Sequence, residues 1–158
     1  MSTVISLSSD QIDFLDLSPV RAVIETWENP ADPSHEPIQF EIDYPQDDDE
    51  PVELPEIPEV RLWFIRLDAI YPWLPYVLDW RSGELARYAA MLVPHQFSER
   101  EGIQYNPQAL DIFLMSKLCA LTAWTDAHQV SGTTKLKQMA EMFGYDIESQ
   151  FFDLLQRS

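Results

Sequence analysis

The sequence predicts an α+β fold in one domain spanning residues 1–158, with a small N-terminal β-sheet and a predominantly helical C-terminal two-thirds. Three observations support this prediction. The length of 158 residues is typical of one domain, and apolar residues make up 46% of the chain, which is enough for a hydrophobic core. Alternating apolar and polar residues occur near the N-terminus. Helical periodicity with recognisable start signals dominates after residue 60.

The first third is predicted to run strand–helix–strand over residues 1–44. "TVISL" (3–7) alternates and is typical of a short strand. "SPVRAVIETWE" (18–28) indicates a helix, with Ser18 as N-cap and a proline at the first helical position, where its missing N–H costs nothing. "IQFEIDY" (38–44) places apolar residues on one face and polar residues on the other, and it is the clearest strand in the chain.

An acidic segment rich in proline follows at residues 45–59. It carries four prolines and no lysine or arginine, so its charges cannot be paired within the segment. We therefore expect an extended, solvated loop, whose charge either keeps the protein soluble or steers a basic partner by electrostatic attraction. The residues that would do this are Asp47, Asp48, Asp49 and Glu50.

The remainder, residues 60–158, is predicted to be mainly helical. Residues 59–71 suit either a buried strand or a buried helix, and the prolines at positions 58 and 72 mark plausible helix limits, so we prefer a helix. In this segment Leu62 and Ile65 are expected to be buried. Four further helices and a connector are predicted, the helices at 82–93 (capped by Ser82), 106–129, 133–145 and 146–156, and the connector at 94–105.

The charge distribution excludes some partners. The formal net charge is −17, and residues 1–60 hold sixteen acidic residues and one basic residue. Nucleic acid is not expected as a partner, because phosphate binding requires a basic surface. No apolar run reaches the roughly 20 residues that cross a bilayer, and the N-terminus resembles neither a signal nor a transit peptide. We therefore expect a cytoplasmic protein without direct membrane insertion.

No motif for a cofactor, metal or catalytic nucleophile is found. The three histidines, His35, His95 and His128, lie far apart and lack metal-ligand spacing. Cys119 lies among apolar residues of a predicted helix and is expected to be buried and unreactive. The four glycines form no phosphate-binding loop. The sequence thus predicts no cofactor, metal or catalytic site, although an enzyme that uses His95, Arg87 and Asp79 remains an alternative.

Residues 61–96 combine aromatic, arginine and acidic side chains with rigid prolines. Arg, Trp and Tyr are enriched among the residues that dominate binding energy at interfaces. Judged from residue chemistry alone, this segment is more typical of a buried core, and an interaction surface remains the alternative. If it is both, leucine and phenylalanine face inward and Trp, Arg and Asp face at least partly outward. The candidate partner-binding residues are Arg61, Trp63, Arg66, Asp68, Tyr71, Trp73, Asp79, Trp80, Arg81, Glu84, Arg87, His95 and Gln96.

The block "LPEIPEVRLWFIRLDAIYPWLPYVLDWRSGELARYAAMLVPHQFSEREGIQYNP" (54–107) resembles the chlororespiratory reduction six family, as do the flanks "LDLSPVRAVIETWE", "FEIDYPQDDDEPVEL" and "MAEMFGYDI". The resemblance implies a non-catalytic assembly factor, or chaperone, of the photosynthetic NAD(P)H-dehydrogenase-like complex of cyclic electron transport. The implied partner is its ferredoxin-like subunit I, which carries two [4Fe–4S] clusters. Chloroplast relatives would be stromal. A structural subunit of a stable complex is the remaining alternative.

Overall fold

The computed structural model describes residues 3–27, 36–45, 56–129 and 132–157, and it confirms the predicted α+β class. The chain divides into two compact units, residues 1–106 and 107–158. In the described residues, all strands belong to the first unit, and the second contains helices. That the whole chain is one domain stays a prediction.

The first unit contains four strands and five helices in its described residues. In chain order they are β1 (Thr3–Ser8), α1 (Ser9–Asp13), α2 (Ser18–Ile24), β2 (Ile38–Asp43), α3 (Pro58–Ile70), α4 (Leu74–Val77), α5 (Glu84–Leu92), β3 (His95–Ser98) and β4 (Gly102–Tyr105).

Strands β1 and β2 pair in parallel, with Thr3 opposite Ile38 at one end and Ser8 opposite Asp43 at the other. Both strands were predicted from their alternation, and the alternating residues Ile5, Leu7, Ile38 and Phe40 are buried. A parallel pair needs a crossover connection, and α1 and α2 lie between the strands in the chain. The strands thus bury one continuous apolar face.

The two N-terminal helices differ in detail from the prediction. Helix α1 was not predicted, although Ser8 and Gln11 form a reciprocal capping box at its start. Helix α2 has Leu17 as N-cap, without a side-chain cap bond, so the prediction of Ser18 as N-cap is wrong. The Ser18 amide instead donates its hydrogen bond to the Asp16 carboxylate, at 3.0 Å. The side chain that binds a backbone N–H at the helix start therefore belongs to the residue two positions before the predicted cap.

Helix α3 confirms the preference for a helix over residues 59–71. It buries Val60, Trp63, Phe64 and Leu67, which share one face at helical spacing. The rings of Trp63, Phe64, Phe40 and Tyr88 form a cluster of edge-to-face contacts with centroids 5.0–6.5 Å apart.

Burial of Leu62 and Ile65 was expected, and that expectation is wrong: they are 52% and 44% exposed. The helix turns them away from the face that holds Trp63 and Phe64. A run of four apolar residues cannot all face one side of a helix with 3.6 residues per turn.

Helix α5 begins at a glycine in place of the predicted serine cap. Its N-cap residue is Gly83, whose φ of 87° lies in the left-handed region that favours glycine. The hydroxyl of Ser82 donates instead to the Asp79 carbonyl at 2.9 Å. The predicted range of 82–93 is thereby shortened at its start to Glu84.

The predicted connector over 94–105 is an antiparallel hairpin, so this expectation is wrong. Strands β3 and β4 pair from His95 opposite Tyr105 to Ser98 opposite Gly102. The Tyr105 hydroxyl donates to the Ala86 carbonyl at 2.9 Å, and burial raises the pKa of this tyrosine to about 12. This contact attaches the hairpin to α5, a tertiary interaction that local patterning does not encode.

The second unit contains α6 (Pro107–Ala127), α7 (Thr133–Met142) and α8 (Ser149–Arg157). The α6 prediction is confirmed, and both α7 and α8 pack against α6. Cys119 is exposed, so its predicted burial is wrong: it lies outside the buried stripe of α6. That buried stripe comprises Leu110, Leu114, Lys117, Leu118, Leu121, Thr122 and Thr125.

Candidate partner-binding site

Two of the candidate residues on α3, Trp63 and Arg66, form hydrogen bonds within the protein. Trp63 is 0% exposed, and its Nε1 donates to the Asp16 carbonyl at 2.8 Å. The expectation that Trp63 faces outward is therefore wrong: its neighbours at helical spacing form the buried face. The exposed Arg66 donates from Nη1 to the Leu15 carbonyl at 2.8 Å. Both side chains hold the turn between α1 and α2, where Leu15 has a φ of 53°.

Asp68 and Tyr88 form a second internal contact on this helix. The buried Tyr88 hydroxyl donates to the carboxylate of Asp68, which is half-buried. A buried phenol without a partner would be costly. Asp68 thus helps to hold α3 against α5.

A charged pair, Glu84 and Arg87, interacts with the backbone of Phe40 in β2. Arg87 Nη1 lies 3.2 Å from Glu84 Oε1 and donates to the Phe40 carbonyl at 3.0 Å. The Phe40 N–H also acts on the Glu84 carboxyl and lowers its pKa. These side chains therefore interact with backbone groups of β2 that a neighbouring strand would otherwise bind. Unpaired backbone groups at a sheet edge can pair with another protein and cause aggregation.

Burial determines the electrostatics of this pair. Glu84 is 5% exposed, and its burial raises the pKa of the carboxyl, an effect that Arg87 and the Phe40 N–H oppose. The side chain of Arg87 is more exposed, which lets the guanidinium remain partly hydrated. A deeply buried Glu84 leaves little carboxylate surface for a partner.

Tyr71 and Trp73 form a half-buried aromatic group beyond the end of α3. Their ring centroids are 5.5 Å apart, and Trp73 lies 6.4 Å from Trp27, just past the end of α2. Trp80 is also half-buried, with its Nε1 donating to the Pro75 carbonyl at 2.8 Å. These rings keep part of their surface accessible.

The turn before α5 is organised by Asp79. Its Oδ1 accepts from the amides of Arg81 and Ser82, at 3.2 and 3.3 Å. The side chain of Arg81 is exposed, and so is that of Gln96 on β3. Among these predicted residues, Arg81 and Gln96 are placed to reach a partner directly.

A cavity of about 550 Å³ lies between the start of α3 and the end of α5. Two predicted residues line it, the exposed Arg61 and the half-buried His95. His95 Nδ1 lies 3.0 Å from the Val93 carbonyl, and its ring centroid is 6.0 Å from that of Tyr105. The other lining residues are Glu56, Pro58, Ala90, Val93 and Pro94.

The residues of the enzyme alternative are separated by their contacts. Arg87 binds Glu84 and Phe40, Asp79 caps a turn, and His95 contacts Val93 and Tyr105. Across the described ranges, no hydrogen bond or ion pair joins His95 to Arg87 or Asp79.

Three further sequence features concern metal sites, membrane-spanning helices and the acidic segment. In the part of the chain that the structure describes, no three His, Cys, Asp or Glu residues are grouped to hold a metal ion. Within those same residues, no helix is both long and apolar enough to span a bilayer. The acidic residues Asp47, Asp48, Asp49 and Glu50 lie outside the described residues.

Sequence reasoning missed two parts of this surface. The first is the exposed apolar set Phe14, Leu62, Ile65 and Ile70. Helical spacing on α3 would have shown that Leu62 and Ile65 leave the Trp63 face. The second is the cavity wall, which joins residues 56–61 to 90–95. No local pattern links these two segments.

No solved structure matches this protein. The family model described as Chlororespiratory reduction 6 matches residues 7–154, which is nearly the whole chain and includes every described residue discussed at this site. The match extends through both compact units. The chain therefore belongs to the chlororespiratory reduction 6 family, whose role lies in the assembly of the NAD(P)H dehydrogenase-like complex.

Proposed function

We propose that this protein is a non-catalytic assembly factor that binds the ferredoxin-like subunit I of the photosynthetic NAD(P)H-dehydrogenase-like complex and helps it mature. Subunit I is the client with two [4Fe–4S] clusters. The observation that carries the proposal is the family match over residues 7–154. The factor acts as a chaperone in the cytoplasm and is absent from the finished complex.

The exposed apolar face of α3 supports a client-binding role. Leu62 and Ile65, three residues apart, are exposed on one side of this helix, and the exposed Ile70 is close in sequence to Tyr71 and Trp73. Apolar side chains grouped at a surface mark interaction sites more often than isolated ones do. Partly accessible aromatic rings beside them are the side chains that anchor interfaces. The client is held through this face and the adjoining aromatic group.

Net charge supports a basic client surface. The protein has a net charge of −17, and the acidic residues Asp47, Asp48, Asp49 and Glu50 are concentrated in one short segment. Long-range attraction raises the rate of association and weakens as salt screens it. Changing all four to Asn or Gln slows client association at low salt by about tenfold or less, and the difference disappears at high salt. Equal association rates at low salt would contradict the steering role.

A tagged copy in photosynthetic cells tests the proposal. Affinity purification with mass spectrometry should recover subunit I, and an iron assay on the eluate reports whether the client already carries its clusters. The purified mature complex should lack the protein. Its presence there at one copy per complex would identify a structural subunit instead, and recovery of the complex without any enrichment of subunit I would contradict the proposed client.

A matched pair of variants localises the binding face. Trp73→Ala removes a half-buried ring of the aromatic group, and we expect it to reduce recovery of subunit I while the protein remains folded. Ile112→Ala is the control, because Ile112 is an exposed apolar residue on α6. Equal recovery with both variants would exclude the aromatic group as the client contact.

A further inference from the structure

We propose that the cavity between the start of α3 and the end of α5 binds a single carboxylate group on a peptide segment of a protein partner. That the peptide belongs to a protein partner rests on the proposed function. The preference for a carboxylate rests on the cavity itself, whose volume of about 550 Å³ lies within the range of ligand sites.

Arg61 supplies the fixed positive charge. Its side chain is exposed, and it has no hydrogen bond or ion pair within residues 3–27, 36–45, 56–129 and 132–157. The guanidinium groups of Arg66 and Arg87, by contrast, bind backbone carbonyls. A guanidinium presents paired N–H donors that match the two oxygens of a carboxylate. Arg61 is therefore free to bind such a group.

His95 supplies the second contact. With Nδ1 donating to the Val93 carbonyl at 3.0 Å, Nε2 is the ring nitrogen left for a ligand. In the protonated ring Nε2 also donates, and a carboxylate oxygen is then a suitable acceptor. The contact with Val93 and the Tyr105 ring hold the imidazole in place. The two basic side chains come from different elements of the cavity wall, α3 and β3.

The rest of the wall selects a peptide over a small ion. Pro58, Ala90, Val93 and Pro94 are apolar, and the prolines restrict the backbone on both sides. Such a wall accommodates the apolar residues next to the carboxylate, and a rigid wall loses little entropy on binding.

Glu56 limits the negative charge that the cavity accepts. Its carboxylate lines the same cavity, so a dianion such as phosphate meets repulsion as well as attraction. A single carboxylate meets less repulsion, and its apolar neighbours add contacts that phosphate lacks. Replacing Glu56 by Gln should therefore strengthen carboxylate binding and weaken the discrimination against phosphate.

The carboxylate has two sources, the C-terminus of a polypeptide or an Asp or Glu side chain. Three acetylated hexapeptides of Ala, Val and Leu separate them. One ends in a free carboxylate, one is amidated and carries a central Glu, and one is amidated with Gln in its place. Inorganic phosphate is the fourth probe. Titration into isotope-labelled protein, followed by NMR of the Ala90 and Val93 amides and the Arg61 Nε–H, reports binding at the cavity.

We expect one or both carboxylate peptides to shift these signals, and the Gln peptide and phosphate to leave them unchanged. Arg61→Gln should weaken binding about tenfold or more, and Glu56→Gln should strengthen it. Arg100→Gln and His128→Gln are matched controls: Arg100 lies in the hairpin turn, and His128 has its Nδ1 on a backbone carbonyl, like His95. Binding should be unchanged in both.

Three results would overturn the proposal: no shifts at millimolar peptide, equal binding of the Gln peptide, or phosphate binding as tight as that of the peptides. Recovery of subunit I by the Arg61→Gln variant separates this inference from the proposed function. Reduced recovery supports the cavity as part of the client site. If the variant loses peptide binding but recovers subunit I in full, subunit I does not occupy the cavity, and the proposed function still holds.

Discussion

The edge of β2 and the α3–α5 cavity use the same residue types in opposite ways. At the edge, Arg87 donates to the Phe40 carbonyl and pairs with the buried Glu84. In the cavity, the exposed Arg61 has no such contacts within the described residues, although Glu56 lines the same wall. The role of an arginine therefore cannot be inferred from a glutamate nearby, whereas its hydrogen-bond partners reveal it.

Two tryptophans of the same segment also differ in how far the fold encloses them. Trp63 is enclosed by aromatic rings and bound to the Asp16 carbonyl. Trp73 is half-buried between Tyr71 and Trp27. Enclosed residues should therefore control stability, and accessible ones should control binding.

The largest stability effect is expected for Trp63→Ala. The change removes the ring from the aromatic cluster and leaves the Asp16 carbonyl without its donor, so the free energy of unfolding should fall by about 3–5 kcal/mol. Denaturant titration measures it, with Trp73→Ala as the control. The distinction between enclosed and accessible tryptophans fails if Trp73→Ala costs as much.

A smaller loss is expected for Arg87→Met. Methionine retains much of the apolar stem but cannot donate to the Phe40 carbonyl or pair with Glu84, and the free energy of unfolding should fall by about 1–3 kcal/mol. Urea unfolding at neutral pH measures this change. Adding Glu84→Gln should recover part of the loss, because the buried carboxylate is then uncharged; independent, additive effects would contradict the pairing.

Glu84 should also make stability depend on pH. Burial raises its pKa above the ordinary 4.5, so the folded protein binds this proton more tightly than the unfolded polypeptide does. Its contribution to stability is present at low pH and is lost as pH rises through the window between the ordinary and the raised pKa. Relative to the parent, Glu84→Gln should therefore gain stability as pH rises from 4.5 upward. The opposite trend in unfolding midpoints would show that Arg87 outweighs burial.

The smallest stability effect is expected for Arg61→Met, the counterpart of Arg87→Met. Because the Arg61 side chain has no internal hydrogen bond or ion pair within the described residues, its replacement should change the free energy of unfolding by no more than about 0.5 kcal/mol. The same denaturant series measures it. A loss as large as that of Arg87→Met would show that Arg61 belongs to the fold and would remove the contrast between the two regions.

The elements that depend on neighbouring residues could be predicted from the sequence. The alternation of residues 3–7 and 38–44 predicted both strands of the parallel pair, and the two prolines around residues 59–71 delimited α3. The apolar stripe of α6 was also predictable from its spacing. Strand and helix periods repeat within two to four residues, so such information lies within a short window.

Which side chains bind other parts of the protein depends on long-range packing and could not be predicted from local patterns. Arg66 binds the carbonyl of Leu15, and Arg87 binds that of Phe40, across separations of 51 and 47 residues. The hairpin at residues 95–105 depends likewise on contacts beyond its own sequence, such as that of Tyr105 with Ala86. Periodicity fixes the face on which a side chain lies, but not the distant backbone group that meets it. For that reason the structure alone distinguishes the anchored Arg87 from the accessible Arg61.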